Sequence, residues 1–171
     1  MTAPAGAKVI AQGKFLRLMD IDTWEFLDRP GAAGVVDVVA VTDDGCLVFV
    51  EQFRPAIGGR SIELPAGLIG DQSSETDESP LEAAARELQE ETGYSAGQLT
   101  EVAAGAPSPG QSTENVHMFL ATGLTKVSAG GGVDDENITV HQVPVARAEQ
   151  WLSQQSANGS KVSLRVYAGL Y

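Results

Sequence analysis

An α/β sandwich is the fold class this sequence predicts, and three observations predict it. Short apolar runs, several alternating with period two, are separated by glycine, proline and aspartate turns. One strongly capped helix pattern interrupts them at residues 79–93, and further helical patterns close the chain. With 171 residues and 43% hydrophobic content, the chain has enough apolar material for one domain around a sizeable core.

Taken in order, residues 1–7 are small and proline-containing and read as a frayed terminus. Residues 8–21 and 23–28 read as two strands, with Ile10, Phe15, Leu16, Leu18, Trp24, Phe26 and Leu27 as apolar positions. They form an extension, 8–28, ahead of a core at 29–171. Arg29-Pro30-Gly31 breaks the chain. Residues 35–41 and 46–52 are two buried strands joined by Asp43-Asp44-Gly45, a strong hairpin signal. Residues 53–60 form a loop, and 62–69 a strand ending in a glycine turn. After the helix come strands at 99–105, 115–121 and 137–143, with a turn at 108–114 and a long loop at 123–136 containing Gly130-Gly131-Gly132. Residues 144–155 read as a helix with Trp151 and Leu152 toward the core, and 160–170 as a second.

The helix at 79–93 is the most completely specified element. Ser79 caps it, Pro80 suits the first turn, Glu82 completes a capping box and Gly93 stops it. Leu81, Ala84, Ala85 and Leu88 make one apolar face. Glu87, Glu90 and Glu91 are spaced i, i+3, i+4 and project from one side. Two such charges repel by about 3 kcal/mol at an effective dielectric near 20. Water screens that repulsion on a bare surface, and the glutamates alone read as a solvated acidic face. A divalent cation instead converts the repulsion into binding, and hard oxygen ligands on a rigid element suit Mg²⁺ or Mn²⁺. Arg86, four residues before Glu90, is placed to hold one carboxylate. The preceding loop favours the metal reading, because a backbone carbonyl at Ala66 adds another oxygen ligand.

The net charge of −12 argues against non-specific nucleic-acid or anionic-membrane binding. A polyphosphate substrate then needs metals and a few placed arginines to be admitted. The single cysteine, Cys46, lies in an apolar run and reads as a buried thiol, consistent with a reducing cytoplasm. Residues 1–9 lack a signal-peptide h-region, and no apolar run reaches membrane-spanning length. One cysteine and two histidines leave no zinc-like cluster, and His117 and His141 read as core or sheet-face residues.

Leu64-Pro65-Ala66-Gly67, Glu78, and Arg86-Glu87-Leu88-Gln89-Glu90-Glu91-Thr92-Gly93-Tyr94 together resemble the box of the Nudix hydrolases. The departure lies between Gly67 and Glu78, where five extra residues fall in the polar segment 71–77. Gln52-Phe53-Arg54-Pro55 and Ser108-Pro109-Gly110, with Pro109 fifteen positions after Tyr94, are similar to the ADP-ribose pyrophosphatase branch. The resemblance implies the Nudix fold, an α/β/α sandwich around a mixed β-sheet. It implies metal-assisted attack of water on a diphosphate, with ADP-ribose giving AMP and ribose 5-phosphate.

By motif match, Glu87 and Glu91 are the side-chain ligands, with the Ala66 carbonyl and Glu90 assisting. The late loop supplies Glu136 as ligand and Asp134 as base; without the box, Asp134, Asp135 and Glu136 read as a solvated acidic turn. The glycines upstream give that loop hinge freedom to close over substrate. Arg54 and Arg60 are candidates to hold phosphate, against a reading as surface salt bridges. Glu63 orients Arg54 or binds sugar hydroxyls, and Glu114 touches substrate or a metal-bound water. Trp24 either stacks on the adenine or packs in the core. The branch also implies a homodimer whose N-terminal strands complete each other's sites. The rival substrate class is GDP-mannose or another nucleoside diphosphate sugar; the rival function is a non-catalytic ADP-ribose sensor.

Overall fold

The computed structural model of the chain describes residues 3–70, 78–133 and 136–171. Three strands come first: β1 (Lys8–Gln12), β2 (Arg17–Ile21) and β3 (Trp24–Asp28). The core opens with β4 (Gly34–Val41), β5 (Cys46–Arg54), β6 (Gly59–Glu63) and β7 (Ala66–Ile69), followed by helix α1 (Pro80–Thr92). Next come β8 (Tyr94–Ser95), β9 (Gln98–Gly105), β10 (Val116–Thr122), β11 (Thr125–Lys126) and β12 (Thr139–Pro144). The chain closes with α2 (Ala148–Ala157), β13 (Lys161–Val162) and α3 (Leu164–Leu170).

The central sheet is mixed. Its path runs β13-β6-β5-β4-β10-β9, with β12 on β5 and β7 on β4. β10 and β4 are parallel, as are β13 and β6, while β5 is antiparallel to β4, β6 and β12. Alternation along β4 decides which layer each residue joins. Val36, Val38 and Ala40 pack under α1 against Ala83, Ala84 and Leu88. Val39 faces the other way, into a core with Phe49, Ile62, Leu152 of α2 and Val166 of α3. Helices thus cover both faces, which is the expected α/β/α sandwich.

The N-terminal part differs in detail from the sequence expectation. Residues 8–21 are two strands, because Gly13 donates to the Leu16 carbonyl at 2.8 Å and closes a turn between them. The resulting three-stranded sheet docks on the 110–113 loop through Leu27 and Gln111 (2.8 Å) and through Thr113 and Leu27 (3.0 Å). Every residue of β1 is exposed. At the other end, residues 160–170 do not form one helix. Lys161–Val162 adds a strand to β6, and α3 starts only after the Ser163 cap. Cys46 is half-buried rather than enclosed. No helix of the described residues is long and apolar enough to cross a membrane.

Candidate active site

Helix α1 forms as its sequence dictates. Ser79 and Glu82 make the reciprocal capping box, Pro80 occupies the first turn, and Gly93 ends the helix at φ 72. The buried stripe is rotated from the expected one: Leu81 is 49% exposed and Ala85 is exposed, while Ala83, Ala84, Glu87, Leu88, Glu91 and Thr92 are buried. Apolarity alone misplaces this face because two glutamates belong to it.

Those two glutamates meet β7. Gly67 lies within this strand rather than in a turn, paired with Val36 of β4. A Cβ at Gly67 would fall inside the carboxylate of Glu87, with Oε2 only 2.6 Å away. Glycine in a strand interior here marks a close approach, not a bend. Glu91 Oε2 accepts the Ala66 N–H at 3.0 Å. Glu87, Glu91, Ala66 and Gly67 form one wall of a pocket of about 360 Å³, and Glu136, Glu114 and Arg54 contribute to its other walls.

Arg86 organises the acids from behind. Its Nε and Nη2 reach Glu78 at 2.8 and 3.2 Å, its Nη1 reaches Glu87 at 2.7 Å and Glu90 at 3.2 Å, and Nη2 also donates to the Leu68 carbonyl at 3.0 Å. The Arg86 hydrogen bond to Glu78 holds that carboxyl below the usual range, with a further bond from the Gly70 N–H at 2.8 Å. The five extra residues of segment 71–77 lie outside the described residues. Glu90 turns to Arg86 and is not among the pocket-lining residues.

Glu91 is 3% exposed. Burial, together with the negative charges of Glu87 and Glu136, pushes its carboxyl up to about 8 against the pull of the Ala66 N–H. Glu87 is thus paired with Arg86, whereas Glu91 is held by a backbone N–H. The oxygen donors of Glu87 and Glu91, with the Glu87 carboxylate seated in the space that Gly67 leaves open, fit a hard divalent cation that keeps part of its water shell. Among the described residues no three acids already stand in a closed coordination arrangement. Across the pocket, Arg54 is clamped bidentately by Glu63 at 3.0 and 2.7 Å, which fixes its guanidinium. For Glu63, burial acts upward but the Arg54 hydrogen bond prevails, and its carboxyl is held low.

Glu136 lines the pocket and accepts the Val133 N–H at 3.0 Å. The glycines before it are moored rather than free. Gly131 donates to the Glu91 carbonyl at 2.8 Å and Gly132 to the Glu90 carbonyl at 3.1 Å, satisfying the last carbonyls of α1. Asp134 and Asp135 lie outside the described residues.

Two expected substrate contacts lie away from this pocket. Arg60 is held by Glu51 at 3.0 Å, within a group that includes His141 and Thr139. Trp24 is 59% exposed and donates to the Gly110 carbonyl at 3.2 Å. The pocket also takes in Gln52, Arg29 and Arg165, which sequence reasoning did not single out. Arg165 pairs with Asp37 at 3.1 Å. The available signal was a lone charge inside an apolar strand, since a buried acid must find a partner.

The family model described as NUDIX domain matches residues 31–165. The chain is 34% identical over 143 residues to a methanol dehydrogenase activator of Bacillus methanolicus. It is 36% identical over 143 residues to an ADP-ribose pyrophosphatase of Bacillus subtilis (strain 168). Each of these alignments covers 83% of this chain and 73% of the relative. A GDP-mannose pyrophosphatase of Klebsiella pneumoniae is 36% identical over 130 residues, covering 71% of this chain and 63% of that protein. A solved structure described as an ADP compounds hydrolase shares the fold, with a TM-score of 0.70 at 22% identity over 87% of this chain and 81% of the other.

Proposed function

This chain belongs to the Nudix family of hydrolases, and from that premise we propose that it splits the diphosphate of a nucleoside diphosphate sugar, ADP-ribose first, into AMP and ribose 5-phosphate. The observation that carries the reading is the acid pair itself. Glu87 is seated against Gly67 beside the buried Glu91, and both face Arg54 across a pocket sized for a diphosphate. A bound Mg²⁺, or Mn²⁺ in its place, supplies Lewis-acid stabilisation and an activated water.

The chain's own residues do the remaining work. Glu87, Glu91 and Glu136 hold the cation, with Glu90 and the Ala66 backbone assisting, and Arg86 keeps Glu87 oriented. Arg54, preset by Glu63, takes a phosphoryl oxygen through its planar fork, and Asp134 accepts the proton of the attacking water. Glu114 contacts the substrate from the 108–114 loop. Arg60, held by Glu51 and outside the lining of this pocket, takes no phosphate role in this reading.

The core 29–171 is one hydrolase domain, and the extension 8–28 serves dimerisation. Exposed Val9, Ile10, Phe15 and Trp24 on that extension support a homodimer in which Trp24 stacks on the base in the partner's site. The free thiol of Cys46 is consistent with a reducing cytoplasm as its compartment. GDP-mannose is the second substrate reading, favoured by the Klebsiella relative.

The deciding experiment assays ADP-ribose, GDP-mannose, diadenosine polyphosphates and nucleoside triphosphates with Mg²⁺ and with Mn²⁺. The expected result is the highest kcat/KM on ADP-ribose. Preference for GDP-mannose moves the reading to its alternative, preference for triphosphates overturns it, and binding of ADP-ribose without turnover makes the protein a sensor.

A further inference from the structure

β4 carries a charge where a buried strand calls for none. Asp37 interrupts its valines and is 1% exposed. The counter-charge comes from α3, where Arg165 brings Nη1 to 3.1 Å from Asp37 Oδ1 while its side chain stays 31% exposed. The pair is imperfectly closed, because Asp37 Oδ2 and Arg165 Nη1 are both buried without an aligned hydrogen bond. Such a pair is a poor device for stability, since apolar residues of similar volume fill a space like this as well or better.

The position of the guanidinium accounts for it. Beside the acid pocket lies a second cavity of about 500 Å³, bordered by Leu16, Leu27 and Pro107. Among the described residues, the two cavities share Arg29, Glu114 and Arg165. Glu87, Glu91, Glu114 and Glu136 all face the acid pocket, and Arg54, which faces them there, does not border the second cavity. A substrate bridging both cavities must carry its diphosphate past the join, where among the described residues Arg29 and Arg165 supply the positive charge.

We propose that Arg165 binds a phosphoryl oxygen of the substrate at the join of the two cavities, and that Asp37 is the positioning residue that aims its guanidinium there. This rests on the hydrolase reading and adds to it a substrate contact from the C-terminal helix. The half of the substrate beyond that phosphoryl group then occupies the larger cavity.

The test uses the full chain and three variants: Arg165→Leu, Arg165→Lys, and the double variant Asp37→Leu/Arg165→Leu, which strands no buried charge. Inorganic pyrophosphate is titrated calorimetrically with Mg²⁺ present, and kcat and KM are measured on ADP-ribose. Losing a charge-assisted hydrogen bond predicts that the pyrophosphate Kd and the KM both rise about 10- to 100-fold in Arg165→Leu and in the double variant. KM changes more than kcat, Arg165→Lys is intermediate, and the double variant melts close to wild type. A double variant that matches wild type in both constants overturns the proposal, as does wild-type protein that does not bind pyrophosphate. Arg165-dependent pyrophosphate binding without hydrolysis of any nucleotide sugar sustains this inference and defeats the hydrolase reading.

Discussion

Replacing Gly67 by alanine adds one methyl group at the point where β7 and α1 touch. The backbone accepts alanine, since Gly67 is not among the glycines with positive φ, so the substitution acts through space alone. The new Cβ would overlap Cδ and Oε1 of Glu87 and stand 2.6 Å from Oε2, below the 3.0 Å that real contacts respect. The nearer oxygen must therefore retreat by more than about 1 Å, a displacement worth roughly 100-fold in rate when it misplaces a catalytic group. Stability moves little, because alanine removes about 0.5–1 kcal/mol of unfolded-chain freedom and offsets part of the rearrangement. The assay is ADP-ribose hydrolysis with saturating Mg²⁺, followed as phosphate released by a phosphatase from the products, beside a thermal melt. A folded variant whose kcat/KM stays within about threefold of wild type refutes the reasoning, for Glu87 would then not be needed where the structure holds it.

Glu91→Gln should lower turnover by orders of magnitude with the melting temperature retained; unchanged turnover removes Glu91 from the metal site. Glu78→Gln weakens a buried pair with Arg86, whose side chains are 3% and 15% exposed, and should cost about 1.5–3 kcal/mol near neutral pH, because Arg86 keeps Glu87 and Glu90 as partners. The Glu78 carboxyl lies below its usual 4.5 in the fold, so its contribution is present above that value and is lost as pH falls through the lower folded value. The variant should therefore lose less stability on acidification than wild type, and parallel acid-unfolding curves would contradict this. Sedimentation of the intact chain should give a dimer, with Phe15→Glu shifting it toward monomer; wild type sedimenting as a monomer at working concentration counts against the exchange of N-terminal strands.

Local chemistry was legible in the residues. Ser79, Pro80, Glu82 and Gly93 specify α1 to the residue because capping depends on neighbours a few positions apart. Asp43-Asp44-Gly45 likewise announces the β4–β5 hairpin, whose register pairs Val41 with Leu47. What stayed hidden depends on tertiary context. Leu81 and Ala85 look like core positions, but the sheet receives the side of α1 that bears Glu87 and Glu91. Arg165 and Asp37 are separated by most of the chain, and nothing local to either declares their meeting. Arg60 is cationic and near the motif, yet the antiparallel pairing of β5 with β6 turns it to Glu51 instead of the pocket.

The mooring of Gly131 and Gly132 on the final carbonyls of α1 has a bearing on how this site tolerates change. A Cβ on Gly130 would come within 2.6 Å of the Gly93 nitrogen, so loop and helix end fit against each other with no room for a side chain. Because the clasp is made of backbone groups, it fixes where the chain leaves the end of α1 on its way to Glu136. On the far side Ile138 donates back to the Gly131 carbonyl at 3.2 Å, so Glu136 is tethered to the helix end from both directions, and any change in the clasp is felt at the pocket.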